Sequence, residues 1–386
     1  MKNLISSLDV IACRTCYHSN TEQAEERCAW MQGIKFNIQT VTPLFMAGAD
    51  QATAELRVPS FRGEMRYWFR ALVAGLVGTD TEGLKQVRDL EANVFGTTDR
   101  GSAVAIHLSD VKGSIREFTE SISERGTDGR WQATGKGYLL WSMAQSGRPG
   151  RNFKPARRYF PPSTTFNLEL AARGTGGEEL QQAIAAFWLL TNLGGVGSRS
   201  RRCAGSLFAQ VVPSAQKNAE TINNITTDLS FKPVANVAAL KQHLERGIAI
   251  ARTLVKTDQS NRRPVHEANF DALSKETCRI WILQDRGKPW NSADDAMRAI
   301  GADLQWCRSG IKPLKDRAIF GLPLKDVTNA RRASPLLLRI TQLQGNKYVG
   351  VAVLFKTFYR DIYMEDYDEI IADWLNTFDS SIEVTL

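Results

Sequence analysis

Apolar and polar residues alternate in several stretches of the chain, and other stretches carry the three-to-four-residue period of a helix. IKFNIQTV (34–41) alternates and predicts a strand, broken afterwards by Pro43 and Gly48. From Pro59, PSFRGEMRYWFRALVAGL reads as a helix with Ser60 as its cap. Phe61, Met65, Trp68, Phe69, Leu72 and Leu76 recur at helical spacing as its buried face. Arg62, Arg66 and Arg70, four residues apart, line a neighbouring stripe. SAVAIHLSDV (102–111) and FNLELAAR (166–173) read as strands, EELQQAIAAFWLLTNL (178–193) as a helix and SLFAQVVP (206–213) as a strand. Strand, helix, two strands, helix and strand is the ferredoxin-like order.

The second half repeats this order less clearly. CRIWILQ (278–284), PLLLRITQL (335–343) and YVGVAVLFK (348–356) predict strands, with helices near 236–255, 291–303 and 364–377. VFG (94–96) and IFG (319–321), each followed by a turn and then a strand, form a faint internal echo. The expected fold is α+β, with two ferredoxin-like (RRM-like) domains carrying insertions, at 34–215 and 216–386. Residues 1–33 form a polar, cysteine-containing extension.

Composition narrows the class. At 43% hydrophobic and 23% charged, the 386-residue chain has the make-up of a globular protein. Its longest apolar candidates, such as ALVAGLVG (71–78), are far short of the ~18 residues of a membrane span. VIAC (10–13) resembles a lipoprotein box, but Ser6, Ser7 and Asp9 interrupt the apolar core that a leader requires. Six scattered cysteines suggest no disulfide scaffold and fit a reducing cytoplasm. The net charge of +8 hides an asymmetry. Eight acids and no base follow Arg360, leaving 49 bases against 33 acids before it. A basic body of this kind suits a polyanion.

Two segments concentrate that charge. TNLGGVGSRSRRCAGSL (191–207) has four glycines, three arginines and no acid. It lacks the P-loop pattern, and its helix enters where a dinucleotide fold has a strand. The glycines therefore meet the partially negative end of a helix, and Arg199, Arg201 and Arg202 would have to supply any grip on phosphate. A glycine-capped structural turn is the other reading. The window 129–168 holds seven bases, seven aromatics and no acid, which is the recipe for single-stranded nucleic acid. Phe166 and Tyr138 are expected to be core rings rather than stacking platforms.

Other chemistry is sparse. Cys13 and Cys16, with His18 and Cys28, have part of the spacing of a structural zinc site. Free thiols are the expected reading, with structural zinc as the alternative, and no other cofactor is indicated. None of the four histidines stands in a catalytic motif, although His107 would face solvent from its strand.

Three segments together, IQTVTPLFMAG…ELRVPSFRGEMRYWFRALVAG, NVFGTTDRGSAV and LGGVGSRSRRCAGSL, resemble the RAMP superfamily of CRISPR effector proteins. Within it they are similar to the first subunits of type III-B (Cmr) complexes, as are AIFGLPL and ASPLLLRI later on. The residues expected to bind RNA are Arg62 and Arg66 from the first helix, Lys154, Arg157 and Arg158 from the basic aromatic window, and Gly195, Gly197, Ser198, Arg199, Arg201 and Arg202 from the glycine-arginine loop. The resemblance implies RNA as their ligand. It also implies guide RNA, target RNA and other RAMP subunits as partners, a place capping the assembly, and no catalytic residue. A metal-independent endoribonuclease on the same fold is the alternative. The family's loop closes with arginine, glycine, an aromatic and glycine. Here Arg202 is followed by Cys203, Ala204 and Gly205.

Overall fold

A computed structural model describes residues 33–126, 129–148, 150–173, 177–213, 228–257, 262–263, 265–312, 314–321, 333–357, 367–378 and 381–386. The cysteine cluster Cys13, Cys16, His18 and Cys28 lies outside these residues.

The first unit runs β1 (Gly33–Thr40), α1 (Val58–Val77), α2 (Thr81–Phe95), β2 (Val104–Lys112), the short α3 (Gly135–Leu140), β3 (Thr165–Ala172), α4 (Gly177–Leu193) and β4 (Leu207–Val211). Its sheet has the order β4-β1-β3-β2 with every neighbour antiparallel. That is the ferredoxin-like arrangement expected from the sequence. After α5 (Val237–Leu254) come β5 (Cys278–Leu283), α6 (Ala293–Gly310), β6 (Leu336–Leu343), β7 (Lys347–Phe355), α7 (Tyr367–Asn376) and β8 (Ile382–Val384). This sheet has the order β6-β7-β5-β8, again all antiparallel, so the second unit repeats the first. The VFG and IFG echoes fall at equivalent places, each ending the connection that leads into the second strand of its unit.

Alternation dictates which face each strand buries. In β1, Ile34, Phe36 and Ile38 point into the core, and Asn37 is exposed on the other face. That outer face of the first sheet is polar. Asn37 Nδ2 donates to Asn167 Oδ1 at 3.3 Å, Asn167 Nδ2 to Asp110 Oδ2 at 2.5 Å, and Lys35 lies 3.5 Å from the same carboxylate. The second sheet buries both faces. Ile280, Ile282, Val351 and Val353 join the core under α1, α4 and α5. Trp281, Leu283, Ala352 and Leu354 join a second core against α6 and α7. The result is four layers: an open sheet, a helix layer of α1 and α4 joined by α5, a covered sheet, and α6 with α7.

Several local expectations needed adjustment. α1 begins at Val58 with Arg57 at its N-cap and no side-chain cap, so Ser60 already lies inside the helix. Pro59 is at ease there because a first-turn residue has no intrahelical bond for its missing N–H. α2 was not anticipated, although Asp80 caps it by accepting from the Gly83 N–H at 2.8 Å. α6 extends to Gly310, beyond the expected end near 303. Among the described residues, no helix is long and apolar enough to cross a membrane.

Candidate nucleic-acid interface

The glycine-arginine loop follows α4 and leads into β4, as its sequence required. Its backbone is held on two sides. Toward the first unit, Ser198 N donates to Phe45 O at 2.7 Å and Gly205 N to Pro43 O at 2.9 Å. Toward the second, Cys203 N donates to Leu338 O at 2.8 Å and Leu338 N to Arg201 O at 3.3 Å. β6 is an edge strand of its sheet, and the loop covers that edge. Gly197 and Gly205 have φ of +83° and +63°. A Cβ on Gly205 would lie 1.9 Å from Val196 O, and one on Gly197 2.4 Å from Phe45 O, so both positions demand glycine. Cys203 adopts φ +65° and is fully buried. The chain thus keeps a left-handed turn where the resemblance expects glycine, at a cost of about 1–2 kcal/mol.

The three arginines come together beside a cleft of about 470 Å³ walled by Tyr138, Trp141, Arg199, Arg201, Arg202, Arg308 and Phe320, with Ser334 at its edge. Arg199 Nε donates to Leu139 O at 2.7 Å, and an Arg202 terminal nitrogen to Phe320 O at 2.5 Å. Main-chain carbonyls orient these two cations without neutralising them. Among the described residues neither has a carboxylate partner, and Arg202 Nη1 is buried with no hydrogen bond. Burial, then repulsion from Arg199 and Arg308, pushes the Arg202 pKa down to about 10. Burial and Arg308 also lower that of Arg199. Clustered, desolvated cations of this kind gain from an incoming anion.

Arg201 is different. It donates to Ser334 O at 2.6 Å, lies 3.5 Å from Asp271 and stacks 4.9 Å from the Tyr67 ring centre. Burial acts to lower its pKa, but Tyr67, Asp271 and Glu64 outweigh that and raise it. Its charge is largely answered inside the protein.

The remaining candidates lie elsewhere. Gly195, Gly197 and Ser198 shape the loop but do not wall the cleft. Arg66 and Arg70 converge on the buried Glu91 carboxylate at 2.5 and 2.7 Å, clamping α1 to α2. Arg62 is half-buried beside Arg66 and Arg173; burial first, then those two charges, lowers its pKa. Lys154 sits exposed on a hairpin of strands Ser146–Arg148 and Arg151–Lys154, next to the exposed Phe153. Arg157 bonds Gln51 through the main-chain and side-chain oxygens, and Arg158 pairs in a strand register with Glu117.

The aromatic window divides sharply. Trp131 and Trp141 are exposed, whereas Tyr159, Phe160 and Phe166 are core. Tyr138 was expected in the core but lines the cleft, its hydroxyl 3.3 Å from an Arg308 nitrogen. Arg308 and Phe320 escaped sequence reading. Arg308 is one base in the last turn of an amphipathic helix, and nothing in its spacing marks it. No histidine lines the cleft among the described residues. His107 is exposed on the open sheet opposite Glu169, and His243 is half-buried on α5, bonded to Asn192 at 2.9 Å.

A repeated ferredoxin-like unit with a glycine-arginine loop wedged at the junction defines a recognisable class, and comparisons agree. The model of the RAMP superfamily matches residues 37–207. The Cmr subunit Cmr1-2 of Pyrococcus furiosus is 35% identical over 184 residues, 46% of this chain and 95% of the relative. The Cmr subunit Cmr1-1 of the same organism is 26% identical over 353 residues, 89% of this chain and 94% of the relative. The chain belongs to the RAMP superfamily, within the family of Cmr1 subunits of CRISPR systems. In fold it is similar to the crystal structure of apo Cmr1 from Pyrococcus furiosus (TM-score 0.58, 21% identity, 92% of this chain and 99% of the other). A chain of the type III-B Cmr-beta complex bound to cognate target RNA is also similar (TM-score 0.57, 12% identity, 90% and 99%).

Proposed function

We propose that this chain is a non-catalytic, RNA-binding subunit of a type III-B CRISPR effector. It caps the end of the assembly away from the guide's 5′ tag and contacts the 3′ region of the guide RNA and the target RNA. Other RAMP subunits are its protein partners. The observation that carries the reading is the pair Arg199 and Arg202, pinned by carbonyls and, among the described residues, without carboxylate partners beside Arg308 in the cleft. Phosphate oxygens supply the missing negative charge. The exposed Trp141 at the rim supplies a face on which an unpaired base stacks. Arg199 and Arg202 are tied to main-chain carbonyls and Arg308 to the Tyr138 hydroxyl, which supports a holding role for the cleft. Membership among the Cmr1 subunits supports the assembly, and the fold it shares with a chain of a complex holding cognate target RNA supports the ligand class.

Arg308→Gln tests this, because Arg308 is half-exposed and holds only one described hydrogen bond. Anisotropy with labelled single-stranded RNA across a salt series should show weaker binding and a log–log slope shallower by about 0.7. An unchanged slope sinks the assignment of the cleft. Incubation of the wild-type chain with labelled RNA in EDTA should leave the RNA intact.

A further inference from the structure

The cleft takes three of its parts from α3 and the residue that follows it. Tyr138 and Trp141 stand in its wall, and the Leu139 carbonyl orients Arg199. A helix of six residues holds no position by itself, so its packing must set these parts against Arg308 on α6. Leu139 and Leu140 anchor the far end of α3 in the second core. At the near end α3 meets α6 through glycines. A Cβ on Gly135 would lie 1.8 Å from Arg298 O, and one on Gly301 1.9 Å from Gly135 O. Glycine permits this close approach but supplies no attraction to hold it.

Toward α6 that attraction comes from Lys136. Its side chain is only 9% exposed, and its ammonium meets both Glu120, in the segment before α3, and Asp294, in the first turn of α6. Asp294 also accepts from Arg298 Nε at 2.6 Å. Burial acts to raise the Asp294 pKa, but Lys136 and then Arg298 outweigh it and lower it. One buried cation thus ties the preceding segment, α3 and α6 together. Its loss turns attraction into repulsion, because two acids are left facing one another with nothing between them. Lys136 itself is absent from the cleft walls. We propose that Lys136 is a positioning residue of the cleft, which never touches the ligand and sets Leu139 O, Tyr138 and Trp141 against Arg308. This inference rests on the RNA-binding role proposed above for the cleft.

The test uses the full chain and labelled single-stranded RNA across a salt series. Lys136→Met should weaken binding roughly 3–30-fold. Its log–log slope should match wild type, because no phosphate contact is lost. Adding Glu120→Gln and Asp294→Asn removes the opposed acids and should return the affinity to within about twofold of wild type. Asp294→Asn alone, at a half-exposed position, cuts only the arm to α6. It should give a smaller loss with melting preserved, and it decides the matter even if Lys136→Met fails to fold. A slope shallower by about 0.7 in Lys136→Met makes the lysine a direct contact and overturns the proposal. So does a loss that the triple variant fails to restore, which marks general damage. Full affinity in Asp294→Asn while Arg308→Gln binds weakly overturns it too, and leaves the RNA assignment standing. Full affinity in Arg308→Gln sinks that assignment and this proposal with it.

Discussion

The two ferredoxin-like units share a strand order and an antiparallel pattern yet use their sheets in opposite ways. The first leaves one face open to solvent under a mesh of Asn37, Asn167, Asp110 and Lys35. The second covers both faces, one with α6 and α7 and one with α1 and α4 of the first unit together with α5. An RRM-like domain that reads RNA on its sheet needs rings on the open face. The open face here carries amides and charges instead, and the second unit has no open face to offer. The candidate interface therefore sits at the seam between the units. There the loop of one is strung along the edge strand of the other. The second unit acts as a mould for the loop of the first.

This contrast can be broken most severely at the covered sheet. Val351→Asp places a carboxylate in the core between the units and should cost at least about 4 kcal/mol in denaturant unfolding, collapsing both units together. The matching change on the open sheet, Asn37→Asp, should stay within about 0.5 kcal/mol. A similar loss for both would erase the distinction.

A smaller effect comes from the seam. The folded pKa of His243, about 4, lies below the ordinary 6.5, so the unfolded chain binds the extra proton first. Stability is whole above pH 6.5 and declines as pH falls toward 4. The loss between pH 7 and 5 should be about 2 kcal/mol. His243→Asn should remove that slope in chemical unfolding curves.

Trp141→Ala should weaken single-stranded RNA binding by about 1–2 kcal/mol without altering the salt slope. Trp131, equally exposed but absent from the cleft walls, separates local stacking from general stickiness; its replacement should have a lesser effect. The smallest expected change is at Cys203. Cys203→Gly relaxes the left-handed backbone but surrenders a buried side chain, leaving melting stability within about 1 kcal/mol. Cys203→Val puts a branched side chain at φ +65° and should cost about 2–3 kcal/mol.

What could be read from the sequence tracks the distance over which each feature is decided. Both units were legible because the alternation of Ile34, Phe36 and Ile38, or of Ile280 and Ile282, is a local consequence of one covered face. The helix preceding the arginine loop and the strand following it were equally local. The fates of individual cations were not. Arg66 and Arg199 look alike in sequence, but one meets Glu91 on a neighbouring helix and the other the Leu139 carbonyl, sixty residues earlier in the chain. Arg339 is a lone cation in a predicted strand, with nothing local to mark it, and is buried because the first unit lies on that face. Arg308 reaches the cleft from a helix more than one hundred residues beyond the loop it serves.

The docking of residues 201–206 along β6 has a consequence for how the protein is made. On the ribosome the loop emerges long before Leu338, Arg339 and Ile340, which hold it through Leu338 O, Leu338 N, the Arg339 guanidinium and Ile340 N. A nascent chain can complete the first sheet but cannot set Arg201 and Arg202 until the second unit has been synthesised and closed. Competence to grip a ligand at the seam is thus conferred late, on finished chains alone. A product cut short before residue 336 keeps its glycines and arginines but loses the strand against which they are shaped.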